Sequence, residues 1–342
     1  MGTWPVRLLI GAAFTTLSIA SGQADAVSDF YTGKNVIMQI GSSPGGIYDI
    51  VGRTVSRHMA KYIPGQPKIV VQMVPGGGSL PLANQFGAIT PRDGTVFGVF
   101  NNGMPTTPLT NPGAGKFNPR QFRYLGSTSR EAHILIVWHN SPVQTMEELF
   151  TKELIVGATS PGAAPYDFPL LTNTVIGTKF KIVKGYQGGP ETQLAMRRGE
   201  IFGNPGLALA SYKTDYMDAI QNKEIKILAA FGMKKHPELL DVPLLPTGKT
   251  TEERQLFELM YARQDYGRIF ATPPDVPDDR YKALKEAFEK TMKDKDFLSE
   301  ATKLSLDIDP VSGEELTELT NRLFSTPQSV IDRMRAIMDS VK

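Results

Sequence analysis

The chain is predicted to be an α/β protein of two lobes, each a mostly parallel sheet flanked by helices, and three features of its 342 residues predict this. An apolar run, Val36–Ile40, leads through a glycine loop into residues 47 to 62, whose apolar positions repeat at the helical period of about 3.6. The same strand, Gly-loop, helix unit recurs three more times, at 69–86, 154–176 and 180–198. Alternating strands and helices pack as a sheet covered on both faces, and the length accommodates two domains of ordinary size.

The first unit sets the pattern. Its loop, Gly41-Ser42-Ser43-Pro44-Gly45-Gly46, lets backbone N–H groups approach a ligand without Cβ atoms in the way, and the helix behind it begins with N–H groups that lack intrahelical partners. Ile69–Val74 then runs into Pro75-Gly76-Gly77-Gly78-Ser79 and a helix carrying Leu80, Ala83 and Phe86. A third strand, Thr95–Phe100, is entered through Pro91-Arg92-Asp93-Gly94 and ends on Asn101-Asn102-Gly103. Residues 105 to 119 read as loop, and residues 27 to 34 as a short polar lead.

The second half opens with the strand Ile134–Trp138 and a capping box, Thr145-Met146-Glu147-Glu148. Strands follow at 153–158, 180–183 and 225–231, with helices near 165–176, 190–198 and 207–221. Prolines at 237, 243 and 246 punctuate the chain before a strand at 267–271. The remainder reads as helical: 278–293, a short helix near Phe297, a capping box at Ser312-Gly313-Glu314-Glu315, and a last helix opened by Pro327. The domains expected are a signal peptide at 1–26, lobe 1 at 27–128, lobe 2 at 129–240, and a largely helical return to lobe 1 at 241–342.

Residues 1 to 26 carry an export signal. Arg7 supplies the positive start, Leu8 to Ala20 is an apolar stretch of 13 residues, and Ala24-Asp25-Ala26 is a small-x-small cleavage site. The stretch is shorter than the roughly 20 residues that span a bilayer. The formal charge of +2 argues against nucleic acid as a partner. The absence of cysteine excludes disulfides, thiolate metal sites and lipidation at a cysteine, so the exported protein is expected free in a periplasm.

Gly41-Ser42-Ser43-Pro44-Gly45 fits the G-x-S-x-G pattern of a hydrolase. With Ser43 as nucleophile, however, the next residue would have to donate an oxyanion-hole N–H, and Pro44 has none. No loop reads G-x-x-x-x-G-K-[ST] or G-x-G-x-x-G, and four scattered histidines do not suggest a metal centre. No cofactor is expected. What remains is a set of anion-suited loops, poor in general bases and in positive charge. Asp49, third into its helix, either favours the helix dipole or accepts from a bridging water. Tyr48, Tyr166 and Tyr186 stand beside the loops as wall or packing, and Arg197-Arg198 reads as a solvated helix end.

Pro44-Gly45-Gly46 with Asp49, Pro75-Gly76-Gly77-Gly78, Arg92-Asp93-Gly94-Thr95, Ser160-Pro161-Gly162, Tyr186 with Gly188-Gly189, Gly199-Glu200, and Ala271-Thr272-Pro273 followed by Val276-Pro277 occur in an order and spacing that carry a resemblance. Over its whole exported length the chain resembles the periplasmic substrate-binding proteins of tripartite tricarboxylate transporters, the Bug-type receptors.

The resemblance implies a two-lobed periplasmic binding protein of type II-like fold, a monomer without catalysis, whose lobes close on an organic carboxylate and deliver it to membrane permease subunits. A dicarboxylate or an aromatic carboxylate is the favoured ligand. A sensor presenting the ligand to a membrane signalling protein is the alternative reading, and a secreted hydrolase using Ser43 is the alternative of another class.

By match, Ser43, Gly45, Gly46, Ile47 and Asp49, with Gly76, Gly77, Gly78 and Ser79, hold one carboxylate. Ser160, Gly162 and Gly188 meet the far end of the ligand, and Tyr48, Asn102, Ala163, Gly189 and Asn204 complete the candidate set. The second loop departs mildly from the family in reading Gly-Gly-Gly-Ser. Phe202 stands where the family usually has an acidic residue, which tilts the pocket toward a longer apolar or aromatic ligand.

Overall fold

The computed structural model describes residues 26–42, 44–113, 116–158, 162–186 and 189–340. The leader through Asp25 and the candidate residues Ser43, Ser160 and Gly188 lie outside the described residues.

Residues 26 to 31 are helical (α1), so the expected polar lead is a structural element: Val27 and Tyr31 are buried, and Tyr31 donates its hydroxyl to Gly94 O at 3.0 Å. Then come β1 (Asn35–Ile40), α2 (Ile47–Met59), β2 (Lys68–Met73), α3 (Leu80–Ala88) and β3 (Val96–Phe100). The stretch expected as loop contains a turn of helix, α4 (Thr107–Thr110), before β4 (Arg123–Ser127). The second sheet is built by β5 (His133–Trp138), β6 (Leu154–Ala158), α5 (Ala164–Ile176), β7 (Phe180–Lys184), α6 (Gly189–Arg197), β8 (Gly203–Ala208), α7 (Leu209–Asp215), α8 (Met217–Gln221) and β9 (Ile225–Phe231). The chain ends with α9 (Thr251–Tyr266), β10 (Ile269–Thr272), α10 (Asp278–Thr291), α11 (Lys295–Lys303), β11 (Val311–Ser312), α12 (Gly313–Phe324) and α13 (Gln328–Asp339).

Six strands form one sheet in the order β11-β4-β10-β3-β1-β2 and five form the other in the order β7-β6-β8-β5-β9, each flanked by helices. This is the two-lobed α/β architecture that the sequence predicts. The sheets are mixed rather than mostly parallel: among the described residues, five of nine strand pairings are antiparallel. The reason is topological. Strand β5 enters the second sheet directly from the first and runs against both β8 and β9, and β10 returns to run against β3 and β4.

Besides α1 and α4, the strands β4, β8 and β11 and the helix α9 escape the sequence reading. In β8, Gly203, Pro205 and Gly206 mask a strand that tertiary pairing enforces, because propensity is a weak guide once a segment is buried between partners. Helix α9 was announced by a capping box that the reading passed over: Thr250 Oγ1 accepts from Glu253 N at 3.1 Å while Glu253 Oε2 accepts from Thr250 N at 3.0 Å. The box at Ser312 and Glu315 is present in full, whereas at Thr145 the Glu148 carboxylate reaches Gln144 N instead.

Three apolar clusters hold these layers. One packs α2, α10 and α11 on the first sheet, through Val51, Val55, Leu284 and Phe297. Another covers the second sheet with α6, α7 and α8, through Met196, Leu209 and Ala219. The third is continuous from Phe86 and Phe100 of the first lobe to Val156 and Phe168 of the second, by way of Phe257 and Tyr261 of α9. No helix among the described residues is long and apolar enough to cross a membrane.

Candidate functional site

The loop after β1 is shaped by close approach. A Cβ on Gly41 would lie 2.4 Å from Ser79 Oγ, so only glycine lets the two loops meet. Ser79, itself at φ 73°, donates its hydroxyl to Gly41 O at 2.8 Å and accepts from Asn101 N at 2.9 Å. One buried hydroxyl therefore ties together the carboxyl ends of β1, β2 and β3. Its one proton is spent within the protein, so it has none to donate to an anion, which makes Ser79 a strut rather than a direct carboxylate contact. Asp49 has a similar role: its carboxylate accepts from Gly45 N at 2.8 Å and from Arg53 Nε at 2.6 Å.

The second lobe repeats the device. Asp167 Oδ1 accepts from Gly162 N at 2.9 Å, and Asp167 Oδ2 meets Arg263 Nη2 at 3.1 Å. In both lobes an aspartate in the first turn of a helix, preceded by a tyrosine, bonds back to a glycine of its own loop. The two arrangements hold helix N-termini open toward a common space. The caps of α2, α3 and α5 are Gly46, Ser79 and Ala163, and none makes a side-chain cap hydrogen bond. Of the other helices, α9, α11 and α12 are capped by Thr250, Asp294 and Ser312, while α7, α8, α10 and α13 also lack a side-chain cap. Leading N–H groups of the first three helices thus lack an intrahelical acceptor.

That common space is a cleft of about 870 Å³ between the two sheets. Of the candidate residues, Tyr48, Gly78, Asn102, Gly162, Ala163 and Asn204 line it. Gly45, Gly46, Ile47, Asp49, Gly76 and Ser79 are not among its lining residues; Gly45, Gly46 and Ile47 are solvent-exposed, while Asp49 and Ser79 brace the loops from within. Tyr166 is buried away from the cleft. Phe202 packs against the central core, with its N–H donating to Ile155 O at 2.8 Å, so the apolar tilt expected from it has no basis in the cleft. Arg197 pairs with Asp218 and Glu224, as suits a solvated helix end.

The cleft also holds residues that sequence reasoning missed. Arg263, from α9, lines its wall and spends its charge on Asp167. Glu131, on the crossover into β5, and His133, the first residue of β5, also line it. Asn102 Nδ2 donates to Glu131 Oε2 at 2.7 Å, and Arg268 stands 3.6 Å from Glu131 Oε1. Burial pushes the Glu131 carboxyl above its ordinary range, opposed by Arg268 and by the Asn102 hydrogen bond. The same desolvation, reinforced by Arg263, holds the His133 imidazole down to about 3, so it is neutral at physiological pH. The only signal that could have revealed Arg263 was the capping box that opens its helix. Among the described residues there is no group of histidine, cysteine and carboxylate side chains able to hold a metal.

Comparison with known proteins follows the same lines. No family model matches the chain. It is 24% identical over 251 residues, 70% of its length and 72% of the relative's, to a UPF0065 protein in the gbd 5′ region of Cupriavidus necator. Among solved structures, a TctC solute-binding protein from Polaromonas superposes with a TM-score of 0.67 at 17% identity, covering 89% of this chain and 99% of that one. An adipate-bound protein of R. palustris superposes with a TM-score of 0.62 at 17% identity, covering 88% and 97%. The fold of this chain is that of these two-lobed binding proteins.

Proposed function

We propose that this chain is an exported Bug-type receptor that captures a small organic carboxylate between its lobes and delivers it to a tripartite tricarboxylate-type membrane transporter in the periplasm. The observation that carries this reading is the convergence of three helix N-termini, those of α2, α3 and α5, on one cleft without side-chain caps. Each such terminus is worth typically 0.3 to 1 kcal/mol to an anion, and up to about 2 in favourable geometry. Together they bind a carboxylate without a dedicated cation. Gly45 N is already engaged by Asp49, so the N–H groups of Tyr48 in α2 and of Gly78, both residues of the cleft lining, are the donors on the first lobe.

In this reading the lobes divide near residues 128 and 240. The two crossovers, through Thr128–Ala132 and through α9, act as the hinge, and a ligand closes the lobes because it binds the closed form better. The leader directs export, the Asp49 and Asp167 turns hold the loops in shape, and the cleft does no covalent chemistry. The bound adipate of the R. palustris protein supports an organic carboxylate as the ligand class.

A thermal-shift screen of the purified protein against mono-, di-, tri- and aromatic carboxylates, with amino acids and sugars as controls, tests the reading. A carboxylate at a hundred times its dissociation constant stabilises the fold by about 2.7 kcal/mol, a shift easily read. A response only to a neutral sugar or amide would overturn it.

A further inference from the structure

The charges and spent protons lining the cleft define which carboxylate it accepts, granted the receptor reading above. Among the described residues, three carboxylates line it, Glu131, Asp167 and Asp339, against one permanent cation, Arg263. Arg263 gives Nη2 to Asp167 and Nη1 to Gly162 O, each at 3.1 Å, while its Nε is buried without a partner. Arg268 stands 3.6 Å from Glu131, so Glu131 and Asp167 each already face a guanidinium group, and a second ligand carboxylate would have to compete with them for it. The desolvation cost of a charge is offset only by an opposite charge or by hydrogen bonds to it.

Away from the Gly loops, Asn204 and three threonines bring acceptors, while the Tyr48 hydroxyl, which accepts from Asn102 N, keeps its proton. Asn204, 3% exposed, donates Nδ2 to Thr192 Oγ1 at 3.2 Å and to Tyr216 OH at 3.0 Å, while its Oδ1 is buried without a partner. Its unmet need is for a donor. On the opposite wall, Thr106 and Thr107 donate their hydroxyls to Gly103 O at 3.1 and 3.0 Å, and Thr110 donates to Thr106 O at 3.2 Å, which leaves only oxygen lone pairs to face a ligand. Glu131, with one oxygen on Asn102, is a further acceptor.

We propose that the ligand is a monocarboxylate carrying a hydrogen-bond donor, a hydroxyl or an ammonium group, at the end opposite its carboxylate, and that Asn204 and Glu131 receive that donor. This departs from the dicarboxylate that the sequence favoured. A buried acceptor left unpaired selects strongly, because an analogue without the donor forfeits the bond and still desolvates the site.

The test is calorimetric titration of the purified protein with two matched sets: adipate, hexanoate, 6-hydroxyhexanoate and 6-aminohexanoate; and terephthalate, benzoate, 4-hydroxybenzoate and 4-aminomethylbenzoate. In at least one set a donor-bearing monocarboxylate binds about tenfold or more tightly than both the dicarboxylate and the unsubstituted acid. Asn204→Leu brings the ratio between the hydroxy acid and the plain acid toward one. Glu131→Gln, which keeps the shape of the side chain, lowers the advantage of the ammonium compound and admits the dicarboxylate. Should Asn204→Leu fail to fold, Glu131→Gln still decides. Tightest binding of adipate or terephthalate overturns this inference and leaves the receptor reading standing. Failure of every carboxylate to bind overturns both.

Discussion

Arg263 and Asp167 meet at 3.1 Å across the cleft wall, with side chains only 11% and 4% exposed, and through this pair a helix that begins beyond the second sheet holds the loop that opens α5. The pair does two things: it neutralises a buried carboxylate and it fixes Gly162, whose N–H the same carboxylate accepts.

Arg263→Leu is expected to cost about 3 kcal/mol of stability or more, because it strands Asp167 as an uncompensated buried charge. Urea denaturation of the variant measures this, and a loss below about 1 kcal/mol would show that water reaches Asp167. The double variant Arg263→Leu with Asp167→Leu should recover much of the loss, since removing both partners removes the stranded charge.

Asp49→Ala is expected to act chiefly on affinity. It frees Gly45 N and loosens the first loop, removing a hydrogen bond to a charged group worth roughly 1.5 to 3 kcal/mol. The dissociation constant for the carboxylate should rise by about tenfold or more at constant pH. An unchanged constant would mean that the loop keeps its shape without the aspartate.

Gly267→Ala tests the junction behind the hinge. Gly267 adopts φ 50°, and an added Cβ would lie 1.6 Å from Ser129 O, a backbone atom that cannot step aside. Strain of this kind costs on the order of 1 to 3 kcal/mol before the clash is counted. A marked fall in melting temperature is expected, while Gly113→Ala, whose Cβ would meet nothing nearer than Asn111 Oδ1 at 4.0 Å, should leave it nearly unchanged.

His133 predicts a pH dependence with a definite sign. Its folded pKa is held down to about 3 against an ordinary 6.5, so between those values the unfolded chain binds a proton that the folded chain does not. Stability attributable to this residue is therefore full above pH 6.5 and falls as pH drops toward 3. Proton NMR should find the His133 ring unresponsive from pH 8 to 4.5, and His133→Phe should flatten the acid limb of the stability curve. Asp294 shifts in the same direction for a different reason: hydrogen bonds from Lys61 and Tyr62 favour its charged form and hold its carboxyl well below the usual range, and the stability this contributes is lost only below about pH 4.

Most strands and helices were legible in the sequence because they rest on local chemistry. The apolar run of β1, the 3.6-residue period of α2 and the Ser312 box of α12 each state their own conformation. The strand β8 was not legible, since Gly203, Pro205 and Gly206 favour turns; pairing of Gly203, Asn204, Leu207 and Ala208 with β5 holds the strand, while Gly206, at φ 67°, sits in the irregularity between them.

The site divides along the same line. The Gly loops and their aspartates were legible because a backbone anion site needs glycine and a helix start side by side in the chain. The sequence by itself determined two α/β lobes and loops suited to an anion. Only the tertiary structure decided that Arg263, Glu131, His133 and Asn204 share the cleft. They arrive there from α9, the crossover into β5, and β8, segments far apart in the chain, and their charge and burial exist only once those segments have packed together.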